Sequence, residues 1–251
     1  MSWRTRRLGW LTDPIFDFRL RRTRSKREIA RKVGSSPVQD ILIVGIEVPG
    51  READIHGVIR ELSRARHNVT VSTIRMGDCG KFDNVNAALS GVNCSRFDWI
   101  IVTDDDIAVP EGLLDESLYL CREADLKIFM PAHCFRSYTS FEITRRWWNT
   151  VARKTHFVEC GPLTGFHKDT FERLLPFPSL RWGWGLDVYW SELARREGWN
   201  IGIIDSCPIR HLRSVATTYN DAPARAEALR FLHQQGITRP LREILQTTEA
   251  F

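Results

Sequence analysis

The sequence predicts an α/β domain with a mostly parallel central sheet flanked by helices, and three observations carry that reading. From Asp40 onward, short apolar runs rich in β-branched residues alternate with amphipathic stretches. This is the pattern of strands buried on both faces and joined by crossover helices. One such run, Asp98-Trp99-Ile100-Ile101-Val102-Thr103, ends abruptly in Asp104-Asp105-Asp106. Ligands of open α/β sheets bind beyond the carboxyl ends of the strands, and three adjacent carboxylates repel one another unless cations gather around them. Finally, 251 residues suffice for one domain with a substantial core.

The elements follow in order. Ile41 to Ile46 reads as a first buried strand. Ile55, Val58, Ile59 and Leu62 fall at the i, i+3, i+4, i+7 spacing of an amphipathic helix. Val69 to Ile74 is a second strand and Asn84 to Leu89 a short helix; the strand ending in the carboxylates comes third. Pro110 stands where a helix can begin, with Leu113, Ser117, Leu118 and Cys121 on its inner face. Lys127 to Met130 makes a fourth strand. Residues 133–185, rich in aromatics, Gly and Pro, break this rhythm, and long irregular segments in a compact domain tend to be functional. Rhythm returns with Leu186, Tyr189, Trp190, Leu193 and Ala194, a helix stopped by Gly198. Asn200 to Asp205 is a further strand, His211 lies just beyond it, and helical stretches over 223–235 and 239–247 close the chain.

Charge divides the chain unevenly. Residues 1–36 hold eleven Lys and Arg against Asp13, Asp17 and Glu28, so the net charge of +5 belongs to this leader and the remainder is slightly acidic. The leader interleaves its cations with Trp3, Leu8, Trp10, Leu11, Ile15, Phe16 and Phe18. Three readings stay open: a helix or arm packed on the body, peripheral contact with an anionic membrane, and non-specific nucleic-acid contact. Gly34-Ser35-Ser36-Pro37 reads as a linker, dividing the chain into a basic leader (1–36), a central domain (37–222) and a helical extension (223–251). No apolar run reaches membrane-spanning length, and the basic start lacks the apolar core of a signal peptide. Six cysteines without C-x-x-C spacing point to reduced thiols in a cytoplasmic setting, with membrane contact at its inner face as an option.

Taken together, the motifs from about Asp40 to His211 resemble the GT-A glycosyltransferases. Thr103-Asp104-Asp105-Asp106 is similar to the family's D-x-D metal site. Trp182-Gly183-Trp184-Gly185-Leu186-Asp187 resembles the W-G-W-G segment before the acidic pair that serves as base in inverting members, and Gly161-Pro162-Leu163-Thr164-Gly165-Phe166 resembles the glycine-rich loop lying against donor and acceptor. Gly80 to Asn86 is similar to the Gly-Lys…Asn stretch bordering the nucleotide base, and His211 stands where several members place a third metal ligand.

The resemblance implies a single GT-A domain that moves a sugar from a nucleotide-diphosphate sugar, a UDP-sugar first among them, to an acceptor hydroxyl on a glycan or glycolipid. It implies Mn²⁺ or Mg²⁺ held by Asp104, Asp106 and His211, the imidazole suiting Mn²⁺ better. Asp187 would be the general base, and Asp104 would also reach the ribose or a metal-bound water. Lys81 and Asn86 would border the nucleotide and Glu47 would face it from the loop after the first strand. Asp105, alternating to the other face of the strand end, would join the donor contacts with Gly165, Trp184 and Gly185. This chain has Leu186-Asp187 where the family often has two consecutive acids, so inversion is expected and retention stays open. Sugar nucleotidyltransfer and a non-enzymatic basic adaptor are the alternatives; no specific nucleic acid is expected as a partner. The first strand lacks the Gly-rich basic loop that nucleotidyltransfer would use.

Overall fold

The computed structural model describes residues 3–213 and 221–251, with side chains from Gly9 onward. Two helices, α1 (Trp3–Arg22) and α2 (Arg24–Lys32), precede the sheet. Strands β1 (Asp40–Glu47), β2 (Asn68–Arg75) and β3 (Trp99–Thr103) alternate with helices α3 (Glu52–Leu62) and α4 (Lys81–Leu89). After β3 come the two-residue β4 (Ile107–Ala108), α5 (Leu113–Glu123) and β5 (Leu126–His133). The second half holds β6 (Ala152–Thr155), β7 (Leu163–His167), α6 (Phe171–Leu174), α7 (Leu186–Glu197), β8 (Asn200–His211), α8 (Asp221–Gln234), α9 (Leu241–Ile244) and β9 (Thr247–Ala250).

The sheet runs β2-β1-β3-β7-β5-β8-β6-β9, and β4 pairs with β8 off this path. β1 is parallel to β2 and β3, and β5 is parallel to β8, while β7 runs antiparallel between β3 and β5. The long core strands therefore share one direction and deliver their carboxyl ends to one edge. Alternate residues serve opposite faces. Ile41, Ile43 and Ile101 pack with α3 and α5, whereas Leu42, Val44, Ile100 and Val102 pack with α4 and α7.

Of the three readings open for the leader, the structure shows packing on the body: Phe16, Leu20 and Ile29 are buried, and the last two join the same apolar cluster as β1 and α5. Asp13, also buried, accepts the N–H groups of Phe135 (2.9 Å) and Arg136 (3.1 Å), and Asp17 pairs with Arg146 at 2.7 Å. The side chains of Trp3 and Leu8 lie outside the described residues. Two other expectations need correction. The region 133–185 is not irregular throughout, since it contains β6 and β7. Its first part is fixed from the sheet: Asp205 accepts from Arg153 (2.8 and 3.0 Å), Thr150 (2.9 Å) and the Trp147 N–H (3.0 Å). Lastly, the helix expected over 239–247 is the single-turn α9, after which Thr247–Ala250 pairs with the otherwise open edge of β6.

Gly165 shows why β7 escaped notice. It pairs with Ile101 and Phe129 inside the sheet, and a Cβ there would sit 2.1 Å from the Phe129 ring. Only glycine allows that close approach, yet in sequence it reads as a loop residue. Gly165→Ala is therefore expected to lower unfolding free energy by about 1–3 kcal/mol in a denaturant titration, through overpacking.

Candidate functional site

The carboxyl ends of β1, β3 and β5 share one edge of the sheet, where the chain leaving β3 meets the end of β8. The two-residue β4 makes that meeting: Ile107 lies opposite His211 and Ala108 opposite Arg210, and the Leu212 N–H donates to the Asp106 carbonyl at 2.9 Å. As a result His211 Nε2 stands 3.2 Å from Asp106 Oδ2. Burial alone would raise the Asp106 carboxyl, but His211 and then Lys81 outweigh it and hold the carboxyl below its usual range. Burial likewise opposes the charged His211, yet Asp106, with Asp104 and Glu159 behind it, raises the imidazole above its usual value.

Each carboxylate of the triplet faces a different cation. Asp104 holds Lys81 at 2.6 Å, and the same Nζ donates to the Gly161 carbonyl at 2.9 Å. The Asp104 N–H in turn donates to the Pro162 carbonyl at 2.7 Å, so the 159–162 segment crosses directly over the end of β3. Against burial, Asp104, Cys160 and Asp106 lift the Lys81 ammonium above its ordinary value, keeping it charged. Asp105 turns the other way, as expected of alternation, to Arg51 (3.2 Å) and Arg213 (3.5 Å). Burial and its two neighbouring carboxylates raise its value; Arg51 opposes them. Among the described residues, no three His, Cys, Asp or Glu side chains gather closely enough to hold a metal by themselves. Asp106 and His211 meet, and Asp104 is given to Lys81.

Asp187 stands on the first turn of α7, with Oδ1 accepting the Val188 N–H at 2.8 Å. Burial pushes its carboxyl up to about 7, against the lowering effect of backbone N–H groups and with help from Glu159. The preceding loop is built to hold it. Gly183 (φ +71°) and Gly185 (φ +94°) adopt the left-handed conformation that side chains disfavour. Glu227 on α8 accepts the N–H groups of Arg181 and Trp182, both at 2.9 Å, and Arg225 lies over the Trp184 ring at 5.5 Å. Trp184 itself remains half-buried.

Residues that sequence reasoning missed connect the two halves. His133, the fully buried last residue of β5, stacks 6.2 Å from His211. Its Nδ1 is 2.9 Å from Ser137 Oγ, which accepts the His211 N–H at 2.8 Å, and its Nε2 is 3.4 Å from Glu159 Oε2. Glu159 is buried and influences both His211 and Asp187. Asp106, His211, His133, Glu159 and Asp187 thus form one electrostatically linked series. A strand-end position was the only sequence signal for His133, and Glu159 gave only its place before Gly161-Pro162.

Three further candidate residues make contacts within the protein. Asn86 clasps the backbone of Phe177, donating to its carbonyl at 2.8 Å and accepting its N–H at 2.9 Å, so its amide is engaged in holding a loop. Gly165 is inside the sheet, and the expected glycine-rich loop ends at Pro162, just before β7 begins. Glu47 ends β1 and pairs with His56 at 3.2 Å; the Thr73 hydroxyl, then His56, hold its carboxyl low.

No family model matches the chain, and no curated protein matches it in sequence. Solved structures do match. The structure of GalNAc-T7 with UDP, GalNAc and Mn²⁺ superposes with a TM-score of 0.53 at 11% identity, covering 78% of this chain and 48% of that one. The structure of S. aureus TarS 1–349 in complex with UDP-GlcNAc gives a TM-score of 0.51 at 11% identity, covering 79% and 66%. The chain thus spans about half the length of the first and just under two thirds of the second. With its strand-end carboxylates, its nine-stranded sheet and these neighbours, the protein has the GT-A fold.

Proposed function

We propose that the protein is a metal-dependent glycosyltransferase, moving a sugar from a UDP-sugar to an acceptor hydroxyl with inversion. The observation that carries the proposal is the contact of Asp106 with His211 at the exit of β3, where His133 and Glu159 lie behind His211. A carboxylate oxygen and an imidazole nitrogen 3.2 Å apart are donors of the kinds that Mn²⁺ or Mg²⁺ would take. Asp106 and His211 would hold the ion, with Asp104 reaching it or the ribose. The bound ion would neutralise charge growing on the departing diphosphate.

The chain's own groups account for the remaining chemistry. Lys81, kept charged beside Asp104, lies where it can pair with the donor phosphates. The half-buried face of Trp184 suits the C–H face of a sugar. Asp187 takes the proton of the acceptor hydroxyl as that oxygen bonds to the anomeric carbon and the bond from that carbon to the diphosphate breaks. A carboxyl raised to about 7 is well matched to this task, being ionised in about half of the molecules at neutral pH yet basic enough to accept a proton. The acceptor is proposed to be a hydroxyl of a glycan or glycolipid. A cytoplasmic setting belongs to the same proposal, supported by six free cysteines.

The test is a panel of sugar nucleotides incubated with the purified protein and Mn²⁺, alongside calorimetric titration of UDP with and without the ion. Hydrolysis of one or more UDP-sugars, with UDP binding strengthened by Mn²⁺, is expected. Absence of both would overturn the proposal.

A further inference from the structure

Helix α1 is apolar on two opposite sides. At 100° per residue, Asp13, Phe16 and Leu20 fall within one narrow arc, and all three are buried against the body. Leu11, Ile15 and Phe18 fall on the opposite line and are 68%, 50% and 55% exposed. Trp10 (62%) flanks them. A helix needs one apolar stripe to dock on a core; among the described residues the second stripe is left exposed to solvent.

The charges around the second stripe say what it fits. Asp13 is consumed by backbone N–H groups, Asp17 by Arg146 and Glu28 by Lys32 at 2.7 Å. Arg19, Arg21, Arg22 and Arg24 are exposed, and among the described residues no carboxylate lies within ion-pair distance of them. Arg22 sits over the Phe18 ring at 3.8 Å, and Arg19 over Trp148 at 5.3 Å. Exposed aliphatic and aromatic side chains in line, bordered by cations without counter-charges, match the two layers of an anionic bilayer surface, acyl chains beneath phosphates. Nucleic acid would use the arginines but has no place for Leu11 and Ile15.

We propose that α1 is an interfacial helix that docks the protein on anionic membranes through Leu11, Ile15 and Phe18, with arginines 19, 21, 22 and 24 against lipid phosphates. The helix is tied to the body beside the candidate site, because Asp13 caps the chain two and three residues after His133. Docking through the outer stripe would therefore hold the segment that follows β5 about one helix diameter from the lipid surface.

The test is flotation of the full chain with vesicles of phosphatidylcholine alone or mixed with phosphatidylglycerol. Neither donor nor metal is needed, so its failure leaves the glycosyltransferase proposal standing, and the reverse holds too. Binding is expected to the mixed vesicles, weakened by salt and at least about tenfold weaker to phosphatidylcholine. The triple variant Leu11→Ser, Ile15→Ser, Phe18→Ser should lose roughly tenfold or more in vesicle affinity with an unchanged melting temperature, since the three side chains face solvent. Arg21→Glu with Arg22→Glu should do the same. Equal flotation of the triple variant would overturn the proposal. So would failure of the wild-type chain to bind mixed vesicles, with self-association through the stripe or retention of RNA naming the other occupant.

Discussion

Asp187→Asn is expected to reduce sugar transfer by a factor of about 10²–10⁴, the usual contribution of a positioned general base. Asparagine matches aspartate in shape and can still accept the Val188 N–H, so the loop and donor binding should survive. The loss should therefore fall on kcat, with little change in KM for the donor. In the unaltered protein, kcat/KM should rise with pH until Asp187 has ionised near 7 and then level off. The same substitution acts on stability in the opposite direction. The folded carboxyl titrates at about 7, above its ordinary value of 3.8, so between those values the folded state holds a proton that the unfolded chain has released. Stability contributed by the neutral carboxyl is full below about pH 4 and is lost as pH rises through about 7. Removing the ionisable group should raise the melting temperature at pH 8, by up to about 4 kcal/mol in free energy, and leave it unchanged in acid. A variant that is slower and more stable above neutrality, but equally stable at low pH, is difficult to explain unless this half-buried carboxyl is both poorly solvated and reactive.

Asp106→Ala is the second large effect. The side chain makes no contribution to the β4–β8 ladder, which rests on backbone groups, so the fold should hold and the melting temperature should stay near that of the parent. What disappears is one of the two groups proposed to grip the cation, and His211 loses the carboxylate that raises its imidazole. The Mn²⁺-dependent part of UDP affinity is expected to fall by at least about a hundredfold, beyond the 10–100-fold typical when only a supporting neighbour of a metal ligand is removed. Transfer should become undetectable, while the weaker metal-independent affinity for UDP, supported by Lys81, should persist. Unchanged turnover would sink the metal role of Asp106.

What could be read in the sequence follows from how local each signal is. β1, β3, α3, α7 and the start of β8 are legible because burial on two faces, or on one helical stripe, writes a periodic pattern into consecutive residues. The acidic triplet is legible because it breaks such a pattern abruptly. β4 is not legible: Ile107-Ala108 is too short to carry a period, and it is a strand only because β8 extends to His211. β7 is hidden by Gly165, whose identity is dictated by the Phe129 ring, a neighbour distant in sequence. The leader admitted three readings because Asp13 and Asp17 look like isolated acids among arginines; their partners, residues 135, 136 and 146, lie far along the chain. The expected role of Asn86 followed from family resemblance, and its pairing with Phe177 depends on how the 175–180 loop returns to α4. His133 and Glu159 were missed for the same reason, since neither belongs to a motif.

The grip of Glu227 on Arg181 and Trp182 makes α8 a brace for the residues that lead into Asp187. Tags, fusions or truncations that disturb it would then act on reactivity as much as on solubility. A screen for shortened versions that keep their secondary structure but lose turnover would map how rigidly the reacting carboxyl must be aimed.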